Sequence, residues 1–440
     1  MEARTHSDCG EHMKTQRFVV MTTLALATVF ALMGSTAVSA PPAQADVNPG
    51  FSIGTTALYR PSGSGSRYIY VDATRGSDFA YDPTGHESGD APWPRQDCLH
   101  GNRTPYWART NGQGSANCPQ PDAAHPMRSI KVAIYASRPG DVIVVRGGTY
   151  NEAVSTTGDG RTDHRGTSST RRLVLQNYPG ESVKFNGYIN FQDPDYWTIA
   201  GIRFGWHPTI TGNNNYIVGM FGGTGWVFHH NEVSGSHGNS NMLVSFKSGG
   251  FSAATAPQSW YVSQNCIHNN RANNPGSIDH NLYVKASQYS RGGVIQRNFM
   301  WNAPNGANIK LGPSQNPAES PAYVTVRNNT LLRAGTGVVV GSSSHHISIT
   351  RNVIGLPYTP NRDDGGIKTY SMRYPTTVSV DNNYVAGWPS YIRETGSNSY
   401  GHVRRSNNKV WDQRTTGSYN SCTLVPATSS VRNGWGHVAN

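Results

Sequence analysis

The sequence predicts an all-β solenoid, in which short strands stack coil upon coil around one core. A motif of the form apolar-x-apolar-x-x-Asn-x-apolar recurs through the second half of the chain, at asparagine intervals of 34, 33, 31, 23 and 31 residues. The asparagines concerned are Asn231, Asn265, Asn298, Asn329, Asn352 and Asn383. The 48 glycines and the low charged fraction of 14% favour turns and strands over amphipathic helices. A β unit of this period cannot bury its apolar side chains alone, so its neighbours must stack on it.

The chain begins with a segment typical of secretion. Residues 1–45 combine a basic start, an apolar run and small residues suited to cleavage, which together predict a signal peptide. We therefore expect a secreted, extracellular protein. Residues 46–66, rich in Gly, Ser and Pro, are interpreted as a linker.

The remainder, 67–440, is predicted to be a single β domain. Residues 77–124 are rich in Gly, Pro, Asp and Asn and are expected to form a long loop insertion. Apolar residues at helical spacing predict one short helix over 129–137, which the following Pro-Gly ends. The segment from about 395 to 440 is expected to cap the solenoid or pack along it.

The repeated asparagines are interpreted as structural. An inward Asn at each corner can bond the backbone of the next coil and the Asn above it, which forms a ladder. Asn also tolerates the left-handed backbone that tight corners require. An earlier, degenerate copy of the motif has Ile202 in the asparagine place.

The five cysteines predict few covalent links. Cys98 and Cys118 lie in one loop-rich stretch and are the expected disulfide of an oxidising compartment. Cys266 follows a ladder asparagine and is interpreted as a buried free thiol, and Cys422 is left unassigned. The chain has no CxxC spacing, so no zinc site is predicted.

The formal net charge of +11 points to an anionic partner. Nucleic acid, anionic cell wall and acidic polysaccharide all fit that charge, but no nucleic-acid-binding module is visible. After the N-terminal segment no stretch is apolar enough to span a membrane. We therefore expect an acidic polysaccharide as the partner of a monomeric protein.

Lysines recur on the strand that follows each asparagine strand. The sequence places Lys247, Lys285, Lys310 and Lys368 at apparently equivalent positions of different coils. Strands in a stacked sheet lie ~4.8 Å apart, so such lysines would form a basic stripe suited to a long anionic polymer. The alternative is an ordinary solvated face, where lysine discourages edge pairing.

The stretch 277–313 concentrates the candidate site residues. Leu282 and Val284 alternate with Tyr283 and Lys285, so the two sets point to opposite faces of a strand. Just before them lie Asp279, His280 and Asn281, and the next coil contributes Asn308 and Lys310. We expect these side chains to form one outward-facing cluster of titratable groups.

These features resemble the secreted right-handed parallel β-helix proteins of the pectate-lyase-like superfamily. The resemblance rests on the coils, on YVDATRGSD, and on HPMRSIKVAIYASRPGDVIVVRGGTYNE, which is similar to the first strand, capping helix and first coil of that fold. Within the superfamily, the LYVKAS coil most resembles polysaccharide lyase family 6, the alginate lyase and chondroitinase B group. That resemblance implies a lysine general base at Lys285 and a second cation, usually arginine, at the place of Lys310.

The family also implies a calcium site formed by acidic residues before the base lysine. Here that stretch is Asp279-His280-Asn281, with a single carboxylate. We therefore assign no metal ligands and leave Ca²⁺ as an open alternative.

β-Elimination from a uronic acid requires a base, a cation that offsets the substrate carboxylate, and an acid for the leaving oxygen. A lysine beside another cation has a lowered pKa, which would suit Lys285 next to Lys310. His280 or Tyr283 would protonate the leaving oxygen. The expected substrate-binding residues are Asp279, Asn281, Asn308, Lys247 and Lys368.

Two other functions remain open at this point. Asp363 and Asp364 form a carboxylate pair before Lys368, and paired carboxylates are the minimum equipment of a glycoside hydrolase. A non-catalytic polysaccharide-binding solenoid would also suit the lysines and the exposed tyrosines. The convergence of titratable groups around Lys285 favours the lyase.

Overall fold

The computed structural model describes residues 53–78, 122–160, 162–211, 215–270, 279–313, 316–358, 365–396, 401–410 and 422. These residues fall within one compact unit, Ala45–Asn440. The signal segment, the Cys98–Cys118 pairing, most of the loop insertion and the Asp363–Asp364 pair lie outside the described residues. Among the described residues no helix is long and apolar enough to cross a membrane.

The described chain is almost entirely β-structure. Its strands are β1 (Tyr68–Val71), β2 (Val142–Val145), β3 (Gly148–Ser155), β4 (Leu173–Asn177), β5 (Val183–Gln192), β6 (Trp197–Ala200), β7 (Ile202–Gly205), β8 (Val218–Phe221), β9 (Val227–His229), β10 (Glu232–Ser234), β11 (Ser240–Ser245), β12 (Tyr261–Ser263), β13 (Cys266–His268), β14 (His280–Lys285), β15 (Gly293–Gln296), β16 (Phe299–Leu311), β17 (Val324–Arg327), β18 (Thr330–Gly341), β19 (Ile347–Thr350), β20 (Val353–Gly355), β21 (Ile367–Tyr370), β22 (Val378–Asp381), β23 (Tyr384–Val385), β24 (Ile392–Thr395), β25 (Arg404–Ser406) and β26 (Lys409–Val410). The helices are α1 (Ile130–Ala136) and the 3₁₀ helices Pro317–Glu319 and Pro375–Thr377.

The strands form a parallel β-helix, which confirms the predicted fold. One sheet has the order β1-β2-β4-β6-β9-β12-β15-β17-β19-β22-β25, and consecutive strands in it pair in parallel. The second sheet contains two strand columns. β16 and β18 bend round the corner between them, pairing with β13 and β20 through their first residues and with β14 and β21 through their last. The solenoid therefore has three faces, and the column that contains β14 and β21 is called the third face below.

The core runs along the axis as rows of like side chains. Trp226 and Trp260 stack with ring centroids 5.3 Å apart, and the aliphatic row Leu282, Ile309 and Val338 lies on neighbouring strands. All five are fully buried. Such rows arise because parallel in-register strands place equivalent residues directly above one another.

The helix α1 begins after Ser129, whose side chain accepts the N–H of Val132, as predicted for 129–137. It buries six residues, Ile130, Val132, Ala133, Ile134, Tyr135 and Ala136, against the first strands. This location agrees with a helix that covers the first coil.

The asparagine ladder is present. The Oδ1 of Asn265 accepts the backbone N–H of Asn231 at 3.0 Å, and the same contact repeats between Asn265 and Asn298 at 2.9 Å. Side-chain amides also link each Asn to the next. The backbone N–H of Ile202 donates to Asn231 at 2.9 Å, so the degenerate coil joins the same ladder.

One detail of the corner differs from the expectation. The left-handed backbone belongs to the residue before each ladder asparagine, such as His230 (φ 54°), Gln264 (φ 56°) and Arg297 (φ 54°). The asparagine itself begins the next strand segment, and its side chain bonds inward to the neighbouring coil. Each corner is therefore formed by two adjacent residues: the first adopts the left-handed backbone, and the asparagine after it bonds to the neighbouring coil.

Both ends of the solenoid are longer than the sequence suggested. The ladder continues to Asn408, which accepts the N–H of Asn383 at 2.9 Å, and β25 and β26 continue the coils past the expected start of the cap. The residues before β1, interpreted as linker, are bonded to the wall: Thr55 N–H donates to the side chain of Asn177 at 2.9 Å. Tyr59 N–H donates likewise to Gln176 at 2.8 Å.

The expectation for Cys266 is wrong. It forms a disulfide with Cys422, with Cα atoms 5.8 Å apart, and Phe299 and Val353 pack in the same apolar cluster. The bond joins residue 422 to the wall of the solenoid.

Candidate active site

The candidate site lies on the outer surface of the third face, where β14, β16, β18 and β21 run side by side. Strand register aligns Tyr283 with Lys310, Lys310 with Val339, and Val339 with Lys368. These residues alternate with the buried aliphatic row, so their side chains leave the core on the outer side.

The lysines do not form the single column expected from the sequence. Lys310 and Lys368 share one column, whereas Lys285 lies two residues further along its strand, in line with Ser245. Lys247 lies beyond the end of β11, and its Nζ is bonded to Asp193 at 2.8 Å. The predicted basic stripe is therefore wrong as a continuous row, and the structure brings only Lys285 and Lys310 of the candidate lysines to the same tyrosine.

That tyrosine is Tyr283. The Nζ of Lys310 lies 4.9 Å from the centroid of its ring, and the Nζ of Lys285 lies 5.9 Å from it. The two ammonium groups thus lie near one aromatic side chain, as the diagonal arrangement of neighbouring coils predicted. Attraction to the ring partly compensates their mutual repulsion.

Lys310 is the unusual cation of the pair. Only 6% of its surface is exposed. Burial, and secondly the charge of Lys285, lower the pKa of Lys310 from 10.5 to about 8. The lysine whose basicity is adjusted is therefore Lys310, whereas the sequence assigned that property to Lys285.

Lys285 has an acidic partner that the sequence did not reveal. Its Nζ lies 2.7 Å from the Oε2 of Glu319, and the two side chains are 29% and 17% exposed. Glu319 ends the 3₁₀ helix Pro317–Glu319, which Asn316 caps by accepting the N–H of Ala318. The one available signal was a lone glutamate in the connection that follows the Lys310 strand.

Two tyrosines complete the cluster. Burial, followed by the charges of Tyr370 and Glu319, raises the pKa of Tyr283, so its hydroxyl keeps its proton at neutral pH. Burial raises the pKa of Tyr370 to about 12, and its hydroxyl donates to the carbonyl of Pro313 at 2.5 Å. Gly341 makes room for Tyr370, because a Cβ at that position would lie 2.1 Å from the Cζ of its ring.

His280 supports the cluster from below. It is 2% exposed, its Nδ1 accepts the N–H of Ala307 at 3.1 Å, and its ring meets that of Tyr283 edge-on at 5.2 Å. Burial and the charge of Lys310 hold the pKa of His280 well below its usual value. The expected role of His280 as the acid is therefore not compatible with the structure, since the ring is buried beneath Tyr283 and does not reach a ligand on the outer surface.

The expected substrate contacts of Asn281 and Asn308 are also wrong. Both are fully buried and belong to a second asparagine ladder, in which Asn241 donates to Asn281 at 2.9 Å and Asn281 donates to Asn308 at 2.7 Å. Asp279 is fully buried as well, and its carbonyl accepts the N–H of Ala307 at 3.2 Å. Asp279 precedes β14, whereas Asn281 lies within β14 and Asn308 within β16, and none of the three side chains reaches the solvent.

Lys247 belongs to a separate charged group. Asp193 accepts both Lys247 and Arg165, the latter at 2.9 Å, and Arg165 also bonds Asp195 at 3.0 Å. The opposite charges within this group largely neutralise one another, which differs from the excess of positive charge around Tyr283. Lys368 remains a predicted substrate-binding residue, half-buried in the column of Lys310.

No calcium-type site accompanies the lysines in the part of the chain that the structure describes. There, the group of three potential metal ligands that lie together is Cys266, His268 and Cys422, whose cysteines are joined in the disulfide. Calcium takes carboxylate and carbonyl oxygens, which this group does not offer.

The chain is similar to solved protein structures but matches no protein family by sequence. No family model matches the chain, and no curated protein matches it. Similar solved structures include a pectate lyase (14% identity, TM-score 0.43, 80% of this chain and 82% of that chain) and a rhamnogalacturonan lyase (10%, 0.43, 79% and 87%). An alginate lyase from Paenibacillus sp. str. FPU-7 has 12% identity and a TM-score of 0.35 over 62% of this chain and 96% of that chain. Similarity at this level carries no information about the residues of the site.

Proposed function

We propose that the protein is a secreted polysaccharide lyase that cleaves an acidic, uronic-acid-containing polysaccharide by β-elimination. The observation that carries the proposal is the pairing of Lys310, with its pKa lowered to about 8, and Tyr283, with its pKa raised, on adjacent strands of an outer face. A base that is partly neutral near pH 7 and an acid that keeps its proton are what elimination requires.

Lys310 is assigned as the base. Its neutral amine takes the proton α to the substrate carboxylate, and the electron pair left on that carbon forms the new double bond as the C4–oxygen bond breaks. With a pKa of about 8, on the order of a tenth of the lysine is neutral at pH 7. Afterwards the ammonium returns its proton to solvent.

Lys285 is assigned to the substrate carboxylate. An ammonium group has three donors, and one of them is directed to Glu319 at 2.7 Å. Two donors are left to bind the carboxylate and to stabilise the negative charge that develops on it during proton removal. Glu319 thus positions the side chain of Lys285 and leaves two of its N–H donors available to the substrate.

Tyr283 is assigned as the acid. Its hydroxyl belongs to a half-buried side chain with both lysines near its ring. It donates a proton to the leaving C4 oxygen, and the resulting phenolate is stabilised by the two neighbouring ammonium groups before it regains a proton from solvent. The roles of base and acid therefore fall on residues that register places directly side by side.

The test is the ultraviolet absorbance of the unsaturated product during incubation with alginate, pectate, glucuronan and glycosaminoglycans. We expect absorbance to rise on at least one polymer, with kcat/KM increasing as the pH passes through about 8. Lys310→Arg keeps the charge but removes the base, so it should abolish turnover at every pH. Lys285→Ala should lower the rate and move the pH profile to a higher pH, because it removes the like charge that helps to lower the pKa of Lys310.

Other outcomes would assign other functions. Loss of the pH profile in Lys285→Ala, with activity retained in Lys310→Arg, would return the base to Lys285. New reducing ends without unsaturation would indicate hydrolysis and direct attention to Asp363 and Asp364. Binding without any product would leave a carbohydrate-binding solenoid. A chelator control in the same assay decides whether Ca²⁺ contributes.

A further inference from the structure

We propose that a row of planar side chains on four successive coils binds sugar residues of the same acidic polysaccharide, beyond the reaction centre. The row, called the aromatic ladder below, consists of Arg291, Tyr323, His345, His346 and Tyr374. This proposal rests on the proposed function only for the identity of the ligand. That the aromatic ladder is a binding surface follows from its contacts and its exposure.

The members of the aromatic ladder occupy equivalent turns. Arg291, Tyr323 and His346 lie just before β15, β17 and β19, and Tyr374 precedes the 3₁₀ helix that leads into β22. Backbone bonds stack these turns: Gly293 N–H donates to the carbonyl of Tyr323, and Tyr323 N–H donates to that of His345, both at 3.1 Å. The ladder therefore runs parallel to the axis, along the edge between the third face and the first sheet.

The planar groups are in continuous contact. The guanidinium carbon of Arg291 lies 4.3 Å from the ring centroid of Tyr323. Tyr323 stacks on His346 at 4.3 Å with an interplanar angle of 11°, and His345 meets Tyr374 edge-on at 5.6 Å. Because each ring supports the next, the surface is organised before any ligand arrives.

Most of the ladder is exposed, including the large faces of its two tyrosine rings. Tyr323 is 38% and Tyr374 is 39% exposed, and Arg291 and His346 are exposed as well. The core of this fold is filled by its own rows, so the solenoid does not need these rings for packing. A contiguous exposed aromatic surface of this kind marks an interaction site more often than a structural one.

The chemistry of the ladder fits an acidic sugar polymer. One side of a pyranose ring presents aliphatic C–H groups that pack on an aromatic face, while its rim carries hydroxyl groups. A uronic acid adds a carboxylate, for which a guanidinium such as that of Arg291 is a two-pronged donor. No member of the ladder is acidic. Three intervals of ~4.8 Å extend the surface over roughly 14 Å, which suits several sugar units and exceeds a monosaccharide.

The ladder and the reaction centre share one connection. Glu319, which holds Lys285, and Tyr323 both lie between the end of β16 and the start of β17. A polymer on the ladder is thereby placed at the edge of the face that carries the two lysines. We expect the ladder to strengthen the binding of long chains and to leave the chemical step unchanged.

The experiment measures binding of alginate, pectate, glucuronan and glycosaminoglycans, by calorimetry or by retardation in a gel containing the polymer. The background is the inactive Lys310→Arg variant, into which Tyr323→Ala and Tyr374→Ala are introduced together. The matched control is Tyr358→Ala, which removes a tyrosine that is 51% exposed but lies outside the ladder. We expect at least about tenfold weaker binding of long chains for the double variant and no change for the control.

In the active background, the double variant should show a raised KM for long chains and an unchanged kcat for the shortest oligosaccharide that is cleaved. Equal affinity in the double variant and its parent would overturn the ladder proposal, even where wild-type protein forms unsaturated product. Polymer binding that depends on the ladder, without product from any polymer, would support the ladder and overturn the lyase. Conversion of a dimer to a monomer in the double variant, with polymer affinity unchanged, would show an interface between copies and overturn the ladder as a sugar site.

Discussion

Replacing Lys310 by methionine should make the protein more stable at neutral pH while it abolishes the proposed activity. Methionine retains an unbranched stem but has no charge to desolvate. In the folded protein the pKa of Lys310 is about 8, against 10.5 for an ordinary lysine. The charged form is therefore disfavoured by folding, chiefly through burial and secondly through Lys285.

The size of the effect follows from the two pKa values. They differ by about 2.5, and each pKa unit corresponds to ~1.36 kcal/mol, so the charged form costs about 3 kcal/mol of folding free energy. Between pH 8 and 10.5 the unfolded chain holds a proton that the folded protein has lost, so wild-type stability rises with pH in that window. Below pH 8 the full cost is present, and above 10.5 it has vanished.

The assay is urea unfolding of wild type and Lys310→Met from pH 7 to pH 10.5. We expect the variant to be more stable by about 3 kcal/mol at pH 7 and the two curves to converge as the pH rises. Other tyrosines and lysines titrate in both proteins and cancel in the difference. A difference that does not vary with pH would refute the assignment.

Three further outcomes are expected. Glu319→Gln should lower kcat on the order of tenfold, because Lys285 loses the carboxylate that positions it. The free energy of unfolding should change by less than ~1 kcal/mol, since the ion pair is partly exposed. An unchanged kcat would contradict the positioning role of Glu319. Asn298→Ala should lower the free energy of unfolding by about 3 kcal/mol in urea titrations, because it removes the acceptor of the buried N–H of Asn265. A loss of under ~1 kcal/mol would contradict the stabilising role of the asparagine ladder. Cys422→Ser should lower that free energy by up to about 5 kcal/mol, since the disulfide joins residues that are 156 positions apart in the sequence. Equal stability of the wild-type protein with and without reductant would contradict a stabilising role of this disulfide.

The fold could be predicted because its determinants repeat. Each ladder asparagine makes the same bonds to the coil above and the coil below, so selection of one residue type at each corner leaves a periodic signal. The ends of the solenoid were predicted less well, because terminal coils lack one neighbour and deviate from the motif. The disulfide of Cys266 could not be predicted, since its partner is 156 residues away and belongs to no repeat.

The proximity of Lys285 and Lys310 to Tyr283 was predicted, but the register of the lysines was not. From ladder asparagine to lysine the chain takes 20 residues between Asn265 and Lys285, but 12 between Asn298 and Lys310. The motif aligns the asparagines of successive coils, but the connections that follow them differ in length. The alignment of the lysines from coil to coil is therefore set by packing and cannot be counted from the asparagines. Glu319 escaped prediction for a similar reason, as it reaches Lys285 from a turn of the next coil.

Burial distinguishes the two lysines in the structure, and the sequence could not predict it. On an alternating strand pattern both are outward residues, and nothing in the local sequence distinguishes them. In the structure, Lys310 is only 6% exposed, whereas Lys285 extends to Glu319 at the surface. The low dielectric around Lys310 disfavours its charge, and the like charge of Lys285 adds to the effect.

The cost of Lys310 is tolerable because of what lies beneath it. A charged lysine in a partly dry site opposes folding by about 3 kcal/mol, which is comparable to the expected contribution of a single rung of the asparagine ladder. The second ladder, through Asn281 and Asn308, runs directly under the strands that carry Tyr283 and Lys310. Its buried amide bonds join the two strands beneath Lys310, so the stacking that makes the fold regular also supports a lysine of lowered pKa on its outer face.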